Sequence, residues 1–322
     1  MTTAPGPDRI GVVVVAWNGG EDVLRCVRAL LAEAPPPALD VIVVDNGSTD
    51  GSPEALEREA GGRIVLVRNA TNLGYCEGNN AGIRLALEKG CDAVILLNDD
   101  AFVEAGAVRA MAARLMEIGG SGVVGPKIVY ADRPGVLWAA GGALSARENV
   151  GALRGTGTAD SGRFDRSEEV DFVPGCALLA SRDVFERAGL LDPAYFAYFE
   201  DVDLCLRARE KGFRIVYEPA ARVLHRASRS TGGGYNPRRK YLMGLNSVRF
   251  LKRHGSFVRW LRFAVFDVLL WPVAVATAAL RGEAAGALAK GRGILDGLRG
   301  KAADARAASG GAAGGGERPG PP

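Results

Sequence analysis

Four short apolar runs, Ile10 to Ala16, Val41 to Asp45, Ile64 to Val67 and Ala93 to Leu97, are rich in Val and Ile and bounded by polar or turn residues. Runs of this length are the pattern of strands buried on both faces. Between them, apolar residues fall at helical spacing: Val23, Val27, Leu30 and Leu31, then the Pro53 to Ala60 segment, then Ile83 and Leu87. Strands alternating with helices form a parallel sheet covered on both sides, so this part of the chain predicts an α/β fold. Ligands of such sheets bind beyond the carboxyl ends of the strands. That rule singles out Trp17 and Asn18, Asp45 and Asn46, Arg68 and Asn69, and Asn98 to Asp100.

From Gly122 to Arg182 the pattern is shorter and interrupted by glycines, and Asp171 to Ala180 reads as a further strand. A helix is expected from Glu200 to Gly212, since glycine commonly follows a helix end. Two short strands, Arg214 to Tyr217 and Arg222 to Leu224, come next. Arg238 to Trp271 reads as helical, with Leu242, Leu245, Val248 and Leu251 on one face. The run Val268 to Leu280 is uncharged over 13 residues. That length suits a packed core helix or an interfacial helix better than a membrane span, and Asp267 just upstream would be costly at mid-bilayer. Flanking Arg253, Arg259, Arg262, Arg281 and Lys290, with Trp260 and Trp271, keep a membrane-surface reading open. Residues 1–9 are expected to be flexible, and the Gly- and Pro-rich stretch 309–322 to be a disordered tail.

Composition removes several functions. The 322 residues carry 40 Lys and Arg against 37 acids, a net charge of +3, so nothing marks a nucleic-acid binder. Five scattered cysteines form no C-x-x-C pair, which fits a reducing, cytoplasmic setting. Met1 to Arg9 lack the features of an export signal. The first strand is followed by A-W-N-G-G-E-D rather than a G-x-G-x-x-G turn, and there is no Walker A, H-E-x-x-H or G-x-S-x-G sequence. With His225 and His254 the only histidines, a His-rich metal site is excluded.

Acids at strand ends remain. Asp45 can accept from the N3–H of a uracil or thymine ring, or begin a turn in which Asp50 or Ser52 caps the next helix. The adjacent Asp99 and Asp100 repel one another, so burying both calls for a cation; the alternative is a solvated turn. A hard divalent ion needs only one or two carboxylates when a diphosphate completes its shell. Glu200, Asp201 and Asp203 follow the aromatic cluster Tyr195, Phe196, Tyr198 and Phe199. They either cap a helix or include a general base whose pKa the rings raise and the helix dipole lowers. His225 is a structural side chain or a metal ligand. The Gly-rich basic segment after it, including Arg226 and Arg229, is a solvated loop or a flap that neutralises a diphosphate.

The ordered series V-V-V-V-A-W-N-G-G, V-V-D-N-G-S-T-D-G-S, N-L-G-Y-C-E-G-N-N, L-L-N-D-D-A, P-G-C-A-L-L-A-S-R, Y-F-E-D-V-D-L-C-L-R-A-R-E-K-G and V-L-H-R-A-S resembles family 2 glycosyltransferases. Within the family it resembles the rhamnosyltransferase and galactofuranosyltransferase branch of bacterial cell-envelope synthesis. The resemblance covers about Ile10 to Leu251. It implies a GT-A fold with a Rossmann-like, mainly parallel sheet, a divalent metal (Mg2+ or Mn2+), a dTDP- or UDP-sugar donor, a glycan or lipid-linked acceptor, and inversion at the anomeric carbon. By motif position, Asp45 binds the nucleobase, Trp17 and Asn18 line that pocket, and Asn72, Gly74, Asn80, Asn98 and Asp99 lie along the donor. Asn98 stands where the family's first acid is expected, which leaves Asp100 as the metal ligand, with His225 as its partner. Asp201 matches the catalytic base, with Glu200 and Asp203 as supporting acids, and Arg226 and Arg229 belong to the diphosphate flap.

The implied organisation is a GT-A domain over 10–237, with a nucleotide-binding half at 10–121 and an acceptor and catalytic half at 122–237. A helical extension at 238–308 follows, able to hold the enzyme at the inner face of the plasma membrane. A sugar-phosphate nucleotidyltransferase would share the sheet and metal but needs a Gly-rich basic loop after the first strand, which W-N-G-G-E-D is not. A noncatalytic nucleotide-binding scaffold would not require Asp100 and Asp201.

Overall fold

The computed structural model describes residues 7–35, 37–144, 151–226 and 236–303. The chain opens with β1 (Arg9–Ala16), α1 (Gly20–Leu31), β2 (Ala38–Asp45), α2 (Ser52–Ala60), β3 (Val65–Arg68), α3 (Gly74–Glu88) and β4 (Ala93–Asn98). β1 pairs in parallel with both β2 and β4, and β2 pairs in parallel with β3. The chain continues through β5 (Ala101–Val103), α4 (Ala107–Glu117), β6 (Gly122–Tyr130), β7 (Arg133–Ala139), β8 (Gly142–Leu144), β9 (Gly151–Leu153), β10 (Glu168–Glu169), β11 (Ala177–Ser181), α5 (Arg182–Ala188), α6 (Glu200–Glu210) and β12 (Arg214–His225). The main sheet runs β10-β12-β6-β11-β4-β1-β2-β3, with β5 paired to β12 and β7 to β6; β8 and β9 form a separate ribbon. β6 and β12 are parallel, whereas β11 is reversed against β4 on one side and β6 on the other.

The sheet is buried on both faces because β1 presents apolar side chains to each in turn. Val12 and Val14 pack with Val23 and Val27 of α1, Leu56 of α2 and Met111 of α4. Val13 faces the opposite core, with Ile83 of α3, Phe185 of α5 and Leu204 of α6. The amphipathic spacing of α1 buries Val23, Val27 and Leu30, and its acids at the first turn and Arg28 at the last suit the helix dipole. Helix α3 lies close against β1: a Cβ on Gly82 would stand 2.3 Å from Val13 Cγ1.

Several boundaries differ from the sequence reading. The segment 171–180 is not one strand: Pro174 and Gly175 precede β11, which begins at Ala177. The two strands expected over 214–224 are one, β12, with a register shift between Glu218 and Arg222, around a proline that has no N–H to give. The long helix expected from Arg238 to Trp271 is broken. Helix α7 (Pro237–His254) ends before Gly255, and Ser256 caps α8 (Phe257–Phe263) by accepting from the Arg259 amide at 3.3 Å. A π-helical turn (Ala264–Leu269), α9 (Trp271–Leu280) and α10 (Ala284–Leu298) follow. α10 packs backbone to backbone on α7: a Cβ on Gly293 would meet Tyr241 O at 2.1 Å, and one on Gly244 would meet Lys290 O at 2.2 Å. α9 is not the packed core helix that its apolar run allowed, because Val273 is 59% and Leu280 89% exposed. The tail 309–322 and residues 1–6 lie outside the described residues. The five cysteines are buried and unpaired.

Candidate active site

A cleft of about 490 Å³ lies at the carboxyl edge of the sheet. Val15 and Trp17 at the end of β1, Asn98, Asp99 and Asp100 after β4, and His225 at the end of β12 line it; Gly175, Tyr198, Glu200, Asp201 and Arg238 close it from the other side.

Strand pairing brings Asp100 and His225 together. β5 runs antiparallel to the end of β12 with Ala101 opposite His225, and the Arg226 amide donates to Asp100 O at 2.9 Å. His225 Nε2 comes to 3.1 Å from Asp100 Oδ1, both side chains are buried, and Trp138 stands edge-on to the imidazole at 4.6 Å between centroids. The contact lacks hydrogen-bond alignment: Asp100 Oδ1, His225 Nδ1 and Asn98 Oδ1 have no hydrogen-bond partner. Buried orphans of this kind call for a missing partner, and an oxygen-seeking cation matches Asp100 Oδ1 and the neighbouring Asn98 Oδ1. Among the described residues no group of three or more His, Cys, Asp or Glu side chains converges as a metal site. Burial, reinforced by the Asp100 charge, pushes the Asp99 carboxyl up to about 7, against the pull of the Trp17 amide.

The loops after β1 and β2 are laced together. Asn18, at φ +52°, donates its amide to Ser48 Oγ at 2.9 Å and accepts from the Thr49 amide at 2.8 Å. Asp45 Oδ1 accepts from the Ser48 amide at 3.1 Å, and Asp50 accepts from the Ser52 and Gly20 amides. Asp50 thus closes a turn ahead of α2, whose cap residue is Gly51. Asp45 and Asn18 flank the cleft without lining it, whereas Trp17, Asn72 and Gly74 line it.

Opposite the Asp–His pair, Asp201 sits in the first turn of α6. Its Oδ2 accepts from the Gly175 amide at 2.9 Å and its Oδ1 from the Val202 amide at 2.8 Å. Tyr75 donates to Gly175 O at 2.6 Å and so holds the Pro174-Gly175-Cys176 corner in place. The sequence left open whether rings or helix dipole would prevail at Asp201. Its pKa is raised: burial outweighs the amides of Gly175 and Val202. Burial likewise raises the neighbouring Glu200 carboxyl, and the Asp201 charge adds to it.

The loop that delivers these acids is strained. Phe196, Tyr198 and Phe199 have φ of +61°, +72° and +77°, a region bulky side chains avoid. It is held from two sides. Gly74, at φ +87°, leaves room for Phe196, whose ring would be 2.6 Å from a Cβ there. From α7, the fully buried Asn246 donates its amide to the carbonyls of Tyr195 and Ala197 at 2.8 Å and of Tyr198 at 3.0 Å. Asn246→Ala is expected to lower the unfolding free energy by about 1–3 kcal/mol, because buried carbonyls lose their donor. A urea melt with an unchanged midpoint would remove Asn246 from this role.

Three expected site residues belong elsewhere. Asn80 is a clamp: its side chain donates to Leu191 O at 2.8 Å and accepts from the Leu191 amide at 3.0 Å, and it is buried away from the cleft lining. Asp203 points away from the cleft into a buried ion network with Arg207 and His254. Arg226 is held by Asp22 at 2.6 Å instead of facing the cleft. Arg229 lies outside the described residues. The sequence reading assigned no role to Tyr75, Trp138, Gly175 or Asn246. Tyr75 and Gly175 stand inside quoted motifs, and Asn246 left its own signal, a polar residue beside Leu245 in the apolar stripe of α7.

The fold is that of the GT-A glycosyltransferases. Among solved structures, GalNAc-T7 with UDP, GalNAc and Mn2+ superposes with a TM-score of 0.59 at 15% identity, over 86% of this chain and 58% of that one. The mannosyltransferase PcManGT from Pyrobaculum calidifontis, in complex with GDP-Man and Mn2+, gives 0.55 at 16% identity, covering 92% and 91%. In sequence, the N-acetylglucosaminyl-diphospho-decaprenol L-rhamnosyltransferase of Mycobacterium tuberculosis is 32% identical over 249 residues, 70% of this chain and 78% of the relative. The dTDP-rhamnosyl transferase RfbF of Shigella flexneri is 23% identical over 276 residues, covering 83% and 88%. The model of the glycosyltransferase-like family 2 matches residues 7–240, and the chain belongs to that family.

Proposed function

We propose that this glycosyltransferase moves a rhamnose-like sugar, with galactofuranose the other candidate, from a dTDP- or UDP-linked donor to a hydroxyl of a glycan or lipid-linked acceptor, with inversion. The observation that carries the chemistry is the placing of two unlike groups around one cleft. These are the Asp100 and His225 pair with its orphaned oxygen, and a carboxylate, Asp201, whose pKa burial raises. The rhamnose preference rests on the two rhamnosyltransferase relatives.

Asp100 and His225 would hold a divalent cation, Mg2+ or Mn2+, with Asn98 beside them. Such an ion would offset the charge growing on the departing diphosphate. Arg238, stacked 5.6 Å over Trp17, and Arg239, 5.7 Å over Tyr198, add positive charge at the cleft from the first turn of α7. Asp201, oriented by the Gly175 amide, takes the proton of the attacking acceptor hydroxyl. A raised pKa suits that task, since a base works best when its pKa nears the working pH. One in-line displacement then inverts the anomeric centre.

The test is release of nucleoside diphosphate from a panel of dTDP-, UDP- and GDP-sugars with Mg2+, Mn2+ or EDTA. Release of dTDP or UDP from one donor, lost in EDTA, is expected. No binding of any donor under any metal would sink the reading in favour of a scaffold, and pyrophosphate production from a sugar phosphate would identify a nucleotidyltransferase. Asp100→Ala is expected to weaken Mn2+-dependent nucleotide binding by roughly tenfold or more. Calorimetric titration reads this directly, and equal affinities would displace Asp100 from the metal.

A further inference from the structure

Among the described residues, fourteen large apolar side chains stand exposed, and nine of them lie between Phe257 and Leu280. They include Phe257 at 82%, Leu261 at 54%, Leu269 at 71% and Val273 at 59%. Three more, Leu288, Leu295 and Leu298, lie on the neighbouring α10, and the remaining two, Trp17 and Leu73, lie far back in the sequence. A concentration of this kind marks an interaction surface rather than scattered exposure.

The charges around it select the partner. Arg259 and Arg262 stand near the start of this stretch and Arg281 just after it, with Glu283 two residues further on. Asp267, the one acid between Phe257 and Leu280, is bound to Lys290 Nζ at 2.5 Å. The surface is therefore apolar in its middle, with arginines near both ends. Two copies of it face to face would set arginines against arginines, whereas an anionic bilayer answers both the apolar and the charged parts.

The depth of contact also follows from the helices. No single helix among the described residues is long and apolar enough to cross a membrane, and α9 is bent by 45° from the segment Phe257–Leu269 before it. The break at Leu270 and the Asp267–Lys290 pair oppose a straight span. We propose that α8, the π-helical turn and α9 form an in-plane anchor that seats the enzyme on the surface of an anionic membrane. The anchor joins the cleft through α7, which follows the cleft-lining Asn236 and leads through Gly255 into α8. This inference does not depend on the donor or on the base, and it stands or falls by lipid binding.

The test is flotation of the full chain with phosphatidylcholine vesicles, with and without phosphatidylglycerol. The wild type is expected to float with anionic vesicles and to lose most of that binding in high salt or on neutral vesicles. The double variant Leu269→Glu, Val273→Glu changes two exposed positions and is expected to reduce partitioning by roughly tenfold or more. Arg281→Glu is expected to reduce it by about fivefold on anionic vesicles only. Melting temperatures and donor turnover in solution, measured alongside, are expected to stay at wild-type values, which separates lost lipid binding from misfolding. Failure of the wild type to float, flotation untouched by the double variant, or a concentration-dependent dimer abolished by the same variant without lipid binding would each overturn the proposal.

Discussion

Asp201→Asn is expected to lower sugar transfer by about 10²–10⁴-fold, the usual worth of a positioned general base, while donor affinity stays near wild type. The substitution keeps the shape of the side chain and an oxygen for one of the Gly175 and Val202 amides while the other loses its acceptor, so an unchanged melting temperature and donor affinity are the control that the 196–201 loop persists. What it removes is the ability to accept a proton from the acceptor. Because burial raises the Asp201 pKa, its proton is lost above the usual carboxylate value of about 3.9, and wild-type turnover should climb with pH over that higher range before levelling. Glu200 lies next to it and is raised as well, so the pair should titrate in two macroscopic steps. Single-turnover rates across pH, with donor affinity measured in parallel, check the assignment. Comparable turnover in wild type and Asp201→Asn would eliminate Asp201 as the base.

Asp203→Asn should instead act on stability. Asp203 is fully buried and accepts from Arg207 Nε at 2.8 Å and from His254 Nε2 at 2.7 Å, with Arg253 Nε at 3.4 Å. Burial alone would raise its pKa, but His254, Arg207 and Arg253 together lower it. A lowered folded pKa contributes stability that is present above the unfolded value of about 3.9 and is lost as pH falls through the folded value. Removing the charge leaves the buried Arg207 uncompensated, for which about 3–5 kcal/mol is the expected cost. Denaturant melts at neutral pH should show that loss. On acidification, wild type and variant should converge, since protonation of Asp203 does what the substitution does. Parallel curves at every pH would rule out the network as a source of stability.

The central strands of the first half were legible because they are buried on both faces and so carry an uninterrupted apolar run, as Val12 to Val15 shows, whereas the edge strand β3 is only half-buried. Helix α6 was legible from its charges and from Gly212 beyond its end. Asp99 and Asp100 were legible as strand-end residues and Glu200 and Asp201 as acids opening a helix, and the motif resemblance paired Asp100 with His225, but the strand pairing that joins those two was not legible. Asp100 meets His225 only through the β5–β12 pairing, and a short edge strand such as Ala101–Val103 has no periodicity to read. Asp203 and Asp201 occupy the same short motif, yet one faces the cleft and the other the ion network. Helical geometry turns residues two apart to nearly opposite sides, and which side meets the cleft depends on packing from α5 and α7. Asn80 reads as a polar residue in a ligand-binding motif and serves instead as a strut, because its neighbour Leu191 arrives from a distant part of the chain.

The reversed strand β11 also governs the order in which this protein can be completed on the ribosome. Until Ala177–Ser181 has been made, Ala93–Asn98 presents a bare apolar ladder to its surroundings, and β6 has no bridge to β4. Unpaired edges of this kind invite other chains to pair with them, and domains emerge amino end first during synthesis. The nascent polypeptide therefore carries an adhesive seam until Ser181 has been made, and the sheet is complete only when β12, the last of its strands in the chain, enters between β10 and β6.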